Sequence, residues 1–249
     1  MAAAANNFYS IVAGVGAGTG RSVAIKFSQT YPVVLLARSA SNYEPIVKEI
    51  NDAGGKAIGI STDISSPTSV KDAFAKIGEE FKGKKLAAAI FNVGGTFIRK
   101  PFLEMSLEEY EVGFAANGKG FYLFSQATLP LLLESVPTSP YPPSLIITGA
   151  TASVRGSATM SSFASGKFAL RATGQSLARE FGPKGIHVAH VIVDGVIDIP
   201  RTREWTVNGG VPDGKINSDA IADTYWHLHT QPRSHFTQEL DCRPYVEKF

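Results

Sequence analysis

Four glycines within Gly14–Gly20 constrain this chain more than any other feature. An apolar run, Phe8 to Ala13, leads into them, and a helix-forming pattern from Arg21 to Gln29 leads out. A strand, a glycine turn and a helix in that order present backbone N–H groups to an anion at a helix N-terminus. The common G-x-G-x-x-G spacing fails, because its third glycine falls at Thr19 counting from Gly14 and at Arg21 counting from Gly16. The spacing that fits is Gly14-x-x-x-Gly18-x-Gly20, which makes Gly14, Gly18, Thr19 and Gly20 the candidate phosphate cradle.

Strand-like and helix-like stretches then alternate to the end of the chain. Strands are expected at Val33–Ala37, Lys56–Ser61, Leu86–Phe91, Leu145–Thr148 and His187–Val193, with a strand-like segment at Phe236–Leu240. Helices are expected from Tyr43 to Ala53, Ser66 to Phe81, Met160 to Gly182 and Ser218 to Thr230. This alternation predicts an α/β fold, a Rossmann-type doubly wound parallel sheet of about seven strands with helices on both faces. With no internal repeat and no linker, 1–249 reads as a single domain; the four prolines of Val136–Pro143 sit in a loop before a strand.

Composition narrows the function. A net charge of +2 with both signs scattered does not argue for nucleic acid or an anionic membrane. No stretch reaches the ~18 apolar residues of a membrane span, and residues 1–7 carry no signal peptide pattern. Cys242 is the one cysteine, so no internal disulfide forms, and a cytoplasmic location is expected. The five histidines show no zinc spacing, so no metal is expected.

Ligands of doubly wound sheets bind where strands end. After the second strand comes Ala37-Arg38-Ser39, where NAD sites usually place an acid for the ribose hydroxyls. An arginine fork with a serine beside it suits a 2′-phosphate, so NADP(H) is expected over NAD(H). After the third strand, Asp63 before Ile64 either accepts from an adenine amino group or caps the following helix. After the fourth, Asn92-Val93-Gly94-Gly95 permits close approach of a cofactor, with Asn92 able to brace neighbouring strands.

Together these positions resemble the short-chain dehydrogenase/reductase family over nearly the whole chain. The resemblance identifies Gly14/Gly18/Gly20 with that family's cofactor loop, Asp63 with its adenine-contacting Asp, and Asn92–Gly95 with its N-N-A-G segment, departing at Val93 and Gly94. It implies that Asn117 holds the active-site water and that Lys167 lies in the catalytic helix. The family's Tyr-x-x-x-Lys reads Phe163-Ala164-Ser165-Gly166-Lys167 here, and the position of the supporting Ser is Ala150. Residues four apart share a helix face, so Phe163 stands where the proton-donating phenol is expected. The Pro-Gly pair beside the nicotinamide reads Asp194-Gly195, and the Thr that commonly follows is Ile199. The resemblance further implies a substrate lid around 199–214, carrying Trp205, and a homo-oligomer, dimer or tetramer.

The expectation is an NADP(H)-binding oxidoreductase that transfers a hydride to or from a small organic substrate, with Asn117 and Lys167 retained. Asp194 is a candidate substitute for the missing acid, with Asp198 as a weaker one, and Thr148 and Thr151 are hydroxyls near the vacated Ser position. A pre-charged acceptor such as an iminium needs a hydride but no acid of this kind. Arg155 is a candidate contact for an anionic substrate. The alternative is a non-redox protein on the same fold, either a cyclase or isomerase or a catalytically silent binder. Phe114, Phe121, Tyr122 and Phe124 read as core or subunit interface.

Overall fold

The apolar run Phe8–Ala13 is β1, and all six of its residues are buried. The computed structural model describes residues 7–248. The remaining strands are β2 (Val33–Ala37), β3 (Ala57–Ser61), β4 (Lys85–Phe91), β5 (Ser144–Thr148), β6 (His187–Val193), β7 (Ile197–Asp198), β8 (Ile216–Asn217) and β9 (Glu239–Cys242). Seven of them form one parallel sheet in the order β3-β2-β1-β4-β5-β6-β9, while β7 and β8 pair separately. The order reverses between β1 and β4, which opens a crevice at their carboxyl ends.

The helices are α1 (Thr19–Ser28), α2 (Ala40–Asp52), α3 (Pro67–Glu80), α4 (Leu107–Phe114), α5 (Gly120–Ser135), α6 (Ser161–Phe181) and α7 (Ser218–His229). Because side chains alternate across a strand, the sheet buries two cores. One carries Val12, Leu35, Ile90, Ile146 and Val191 against Phe27 of α1 and Tyr225 of α7. The other carries Ile11, Leu36, Phe91 and Ile147 against Phe121, Phe124 and Leu170. Burial on both faces is why these strands read as continuous apolar runs.

Element starts fall within two residues of the sequence pattern, except two that differ by three. Helix α2 starts at Ala40 after the extended Ser39, three residues before Tyr43. The last strand begins at Glu239 rather than Phe236, because the preceding segment is held by other groups. The Phe236 ring stacks on His187, with centroids 4.3 Å apart. Thr237 donates its backbone N–H to Gln231 and accepts from His187 through its carbonyl.

A capping box, Ser106 with Glu109, starts α4. Between α4 and α5 the chain stays helical but widens into a π-helical segment, Ala115–Lys119, that contains Asn117. Such single wide turns often mark functional sites. Glycines let α4 and α6 touch there: a Cβ on Gly166 would lie 2.6 Å from the Gly113 carbonyl oxygen and 3.2 Å from Asn117 Cβ.

Candidate cofactor and active site

The glycine turn is shaped by what it touches. Gly14 has φ +87°, and a Cβ there would lie 2.5 Å from the Asn92 backbone. At Gly20 a Cβ would lie 2.7 Å from the Gly14 carbonyl oxygen. A side chain at Gly14 would push the ends of β1 and β4 apart, and one at Gly20 would lift α1 off the turn. Asn92 secures the junction by donating from Nδ2 to the Gly14 carbonyl (2.9 Å) and accepting at Oδ1 from the Thr148 hydroxyl (3.0 Å). It thus ties the ends of β1, β4 and β5 together, the bracing expected of it.

Gly18 caps α1 with no side-chain partner for the helix N-terminus, and the first turn carries no acid. The N–H groups of Thr19 and Gly20 have no acceptor among the described residues. Thr19 is 6% exposed, and its buried hydroxyl has no partner. Open N–H groups, a helix dipole and an unpaired buried donor together suit an anion.

Beside this turn lies a cavity of about 480 Å³, lined by Gly14 and Val15, by Arg38 and Asn42, by Thr62–Ser65, by Val93–Thr96, by Val112, Ala115 and Ala116, and by Arg201. Of the residues expected in a cofactor site, Gly14, Arg38, Asp63, Ile64 and Gly94 line it. Ser39 does not; it is exposed at the start of α2. Arg38 is exposed and makes no hydrogen bond or ion pair to a described residue. Asp63 accepts from the Ser65 hydroxyl (2.7 Å) and backbone N–H (3.0 Å), which holds its carboxyl below the usual range, with Arg38 and Lys119 adding smaller pulls. The cap of α3 is Ser66, so Asp63 does not fill that role.

Lys167 is 2% exposed and donates from Nζ to the carbonyls of Thr148 (2.9 Å) and Val93 (3.3 Å). Burial pushes its ammonium down to about 7. The ammonium lies 5.9 Å from the centre of the Phe163 ring, so Phe163 and Lys167 do share a face. Phe163 is half-buried, and its ring meets the Phe97 ring edge-on at 5.4 Å. Asn117 is fully buried; its Nδ2 donates to the Gly113 carbonyl (3.3 Å), and its Oδ1 has no partner.

The hydroxyls near Ala150 are already engaged. Thr148 donates to Asn92 and pairs with the Tyr225 hydroxyl at 2.6 Å. Thr151 donates to the Asp194 carboxylate. Asp194 also pairs with Arg243 (3.3 Å), and its backbone N–H donates to the Cys242 carbonyl (2.8 Å). Asp194 is therefore an anchor between β6 and the 241–247 segment. Gly195 faces that segment too: a Cβ there would lie 2.8 Å from Pro244 Cδ, so it stands apart from the cavity. Arg155 and Asp198 are exposed, and neither lines the cavity.

The 199–214 excursion is closed at its base by β7–β8 pairing, Ile197 with Ile216 and Asp198 with Asn217. Ile199 packs on the glycine turn, where a Cβ on Gly18 would lie 2.7 Å from Ile199 Cγ2. Trp205 is 52% exposed. Arg201, absent from the sequence reading, lines the cavity; its one sequence signal is a basic residue just past the carboxyl end of the sixth core strand. His229 is fully buried between Tyr31 and Ser144, and burial pushes it down to about 3. Among the described residues no group of three His, Cys, Asp or Glu gathers as for a metal, and no helix is long and apolar enough to cross a membrane.

The family model for short chain dehydrogenases matches residues 9–207. The chain belongs to the short-chain dehydrogenase/reductase family. It is an oxidoreductase of that family by fold and relatedness. A short-chain dehydrogenase/reductase of Armillaria gallica is 26% identical over 216 residues, covering 84% of this chain and 78% of that one. A 3β-hydroxysteroid dehydrogenase of Mediterraneibacter gnavus is 25% identical over 193 residues, covering 77% of this chain and 67% of that one. The crystal structure of a short-chain dehydrogenase from Rhodopseudomonas palustris superposes with a TM-score of 0.80 at 32% identity, covering 96% of this chain and all of that one. A metagenomic short-chain oxidoreductase solved in complex with NADP shares the fold with a TM-score of 0.79 at 22% identity, over 97% of this chain and 99% of that one.

Proposed function

We propose that this chain is an NADP(H)-using oxidoreductase whose acceptor needs no protein acid. The observation that carries the cofactor choice is Arg38. It lines the cavity just past β2 without a hydrogen bond or ion pair to a described residue, where a carboxylate would be needed to favour NAD(H). The open N-terminus of α1, the unpaired Thr19 hydroxyl and the open space at Gly16 fit a dinucleotide diphosphate. Asp63 and Ile64 flank the adenine end.

A bound dihydronicotinamide supplies a hydride. Lys167 has two N–H groups engaged by backbone carbonyls; its ammonium form adds a third for the ribose hydroxyls, and its neutral form offers them a lone pair. Asn117 offers its unpaired Oδ1 to a water or ligand donor in the widened turn. Phe163 and Phe97 present an aromatic wall where a phenol would stand, and Thr148, Thr151 and Asp194 are tied to other partners. This arrangement suits a pre-charged acceptor such as an iminium, which takes a hydride at carbon and leaves a neutral amine. A carbonyl acceptor would need a proton that none of these side chains supplies.

The excursion 199–214 serves as the substrate lid. Exposed Leu107, Phe114, Tyr122 and Phe168 on α4 to α6 give an apolar face suited to a homo-oligomer in the cytoplasm. Fluorescence titration with NADPH and NADH tests the reading. Tighter binding of NADPH, with cofactor oxidation on a quaternary iminium acceptor rather than on carbonyl acceptors, is the expected result. Binding of neither nucleotide would refute it and favour a silent binder on this fold.

A further inference from the structure

Arg201 sits on a short 3-10 turn, Pro200–Thr202, that is fixed from several sides. The Thr202 hydroxyl accepts from the Ile199 N–H (3.1 Å) and donates to the Ile197 carbonyl. Lys215 Nζ donates to the carbonyls of Thr202 (2.8 Å) and Arg203 (2.6 Å). Ile199 rests on Gly18, so the turn stands directly over the N-terminus of α1. The Arg201 side chain is nevertheless exposed, without a hydrogen bond or ion pair to a described residue, and lines the same cavity as Gly14 and Arg38. A turn that rests on Gly18 and carries a guanidinium without a described partner into the cavity that Gly14 and Val15 also line sets a cation across from the glycine turn.

We infer that Arg201 binds the diphosphate of the dinucleotide from the lid side, so that nucleotide binding and lid position are coupled. This rests on the cofactor reading above. It assigns the two arginines of the cavity different duties: Arg38 distinguishes the phosphorylated ribose, and Arg201 holds the diphosphate that NADPH and NADH share. A guanidinium fork on a diphosphate is a charge-assisted, two-donor contact, and its loss is worth about ten- to a hundred-fold in affinity.

The test is equilibrium titration of the wild type, R201Q, R201K and R38Q with NADPH, NADH and adenosine 2′-phosphate, which lacks a diphosphate. R201Q is expected to weaken NADPH and NADH by the same ten- to hundred-fold and to leave adenosine 2′-phosphate unchanged, with R201K recovering part of the loss. R38Q is expected to weaken NADPH and adenosine 2′-phosphate while sparing NADH. Unaltered dinucleotide binding by R201Q overturns the inference alone. So does a loss confined to NADPH and adenosine 2′-phosphate, which would put Arg201 at the 2′-phosphate. Failure of the wild type to bind either dinucleotide refutes the cofactor reading and this inference with it.

Discussion

Replacing Lys167 with Met should change how the protein's stability depends on pH. Lys167 is buried, its hydrogen bonds go to the carbonyls of Thr148 and Val93, and burial depresses it from 10.5 to about 7. In the unfolded chain the same group keeps its proton up to the ordinary value. Between those two pH values the unfolded state therefore binds more protons than the folded state, and stability rises with pH. The contribution is fully present above the unfolded value and is lost as pH falls toward 7. At ~1.4 kcal/mol per pH unit, that interval amounts to roughly 5 kcal/mol for one group. Lys167→Met leaves two carbonyls without a donor, a cost that does not vary with pH. Urea unfolding of both proteins at pH 7, 8 and 9 isolates the titration. The wild type should gain relative to the variant by close to ~1.4 kcal/mol for each pH unit above 8. A difference that stays constant from pH 7 to 9 would show that Lys167 keeps its proton in the folded state and would refute the reasoning.

Restoring a phenol at Phe163 is expected to create carbonyl reduction. Phe163→Tyr places the hydroxyl on the face of Lys167, and a positioned general acid contributes about 10²–10⁴-fold, read as NADPH consumption on a carbonyl substrate. Gly14→Ala combines a φ of +87° with a Cβ 2.5 Å from the Asn92 backbone. A loss of at least ~2 kcal/mol by urea unfolding and of nucleotide binding by titration is expected. Asp194→Ala strips the buried partner of Arg243 and Thr151. It should cost about 3 kcal/mol in the same unfolding assay. Tyr225→Phe removes the hydroxyl paired with Thr148 at 2.6 Å, with an expected loss of about 1 kcal/mol by denaturant unfolding.

Local chemistry made much of the fold readable. Strands buried on both faces must be apolar throughout, so β1, β2, β4, β5 and β6 announce themselves, and the glycine turn follows β1 in plain view. The Phe163 and Lys167 relationship is likewise local, since four residues on a helix fix a shared face. What could not be read depends on partners far away in the chain. Thr148 and Thr151 look like free hydroxyls until Tyr225 and Asp194 are seen to take them. The contact of Ile199 with Gly18 spans most of the chain, and Arg201 is an ordinary surface arginine in any local window. The start of β9 is hidden for the same reason. Phe236 and Thr237 have strand-like chemistry, but His187 and Gln231 claim their ring and backbone groups.

The 241–247 segment has a bearing on how the protein comes to be made. Asp194 pairs with Arg243 and donates to the Cys242 carbonyl, Gly195 is shaped to admit Pro244, and Asn208 of the 199–214 excursion donates to Glu247 (2.8 Å). A ribosome delivers the glycine turn more than two hundred residues before these partners. Asn208 of the 199–214 excursion and Asp194 at the end of β6 are thus held by one late segment of the chain. Parallel pairings of such separation are slow to form. A cut within 241–247 is expected to free Asn208 and Asp194 at once, read as faster proteolysis within 199–214.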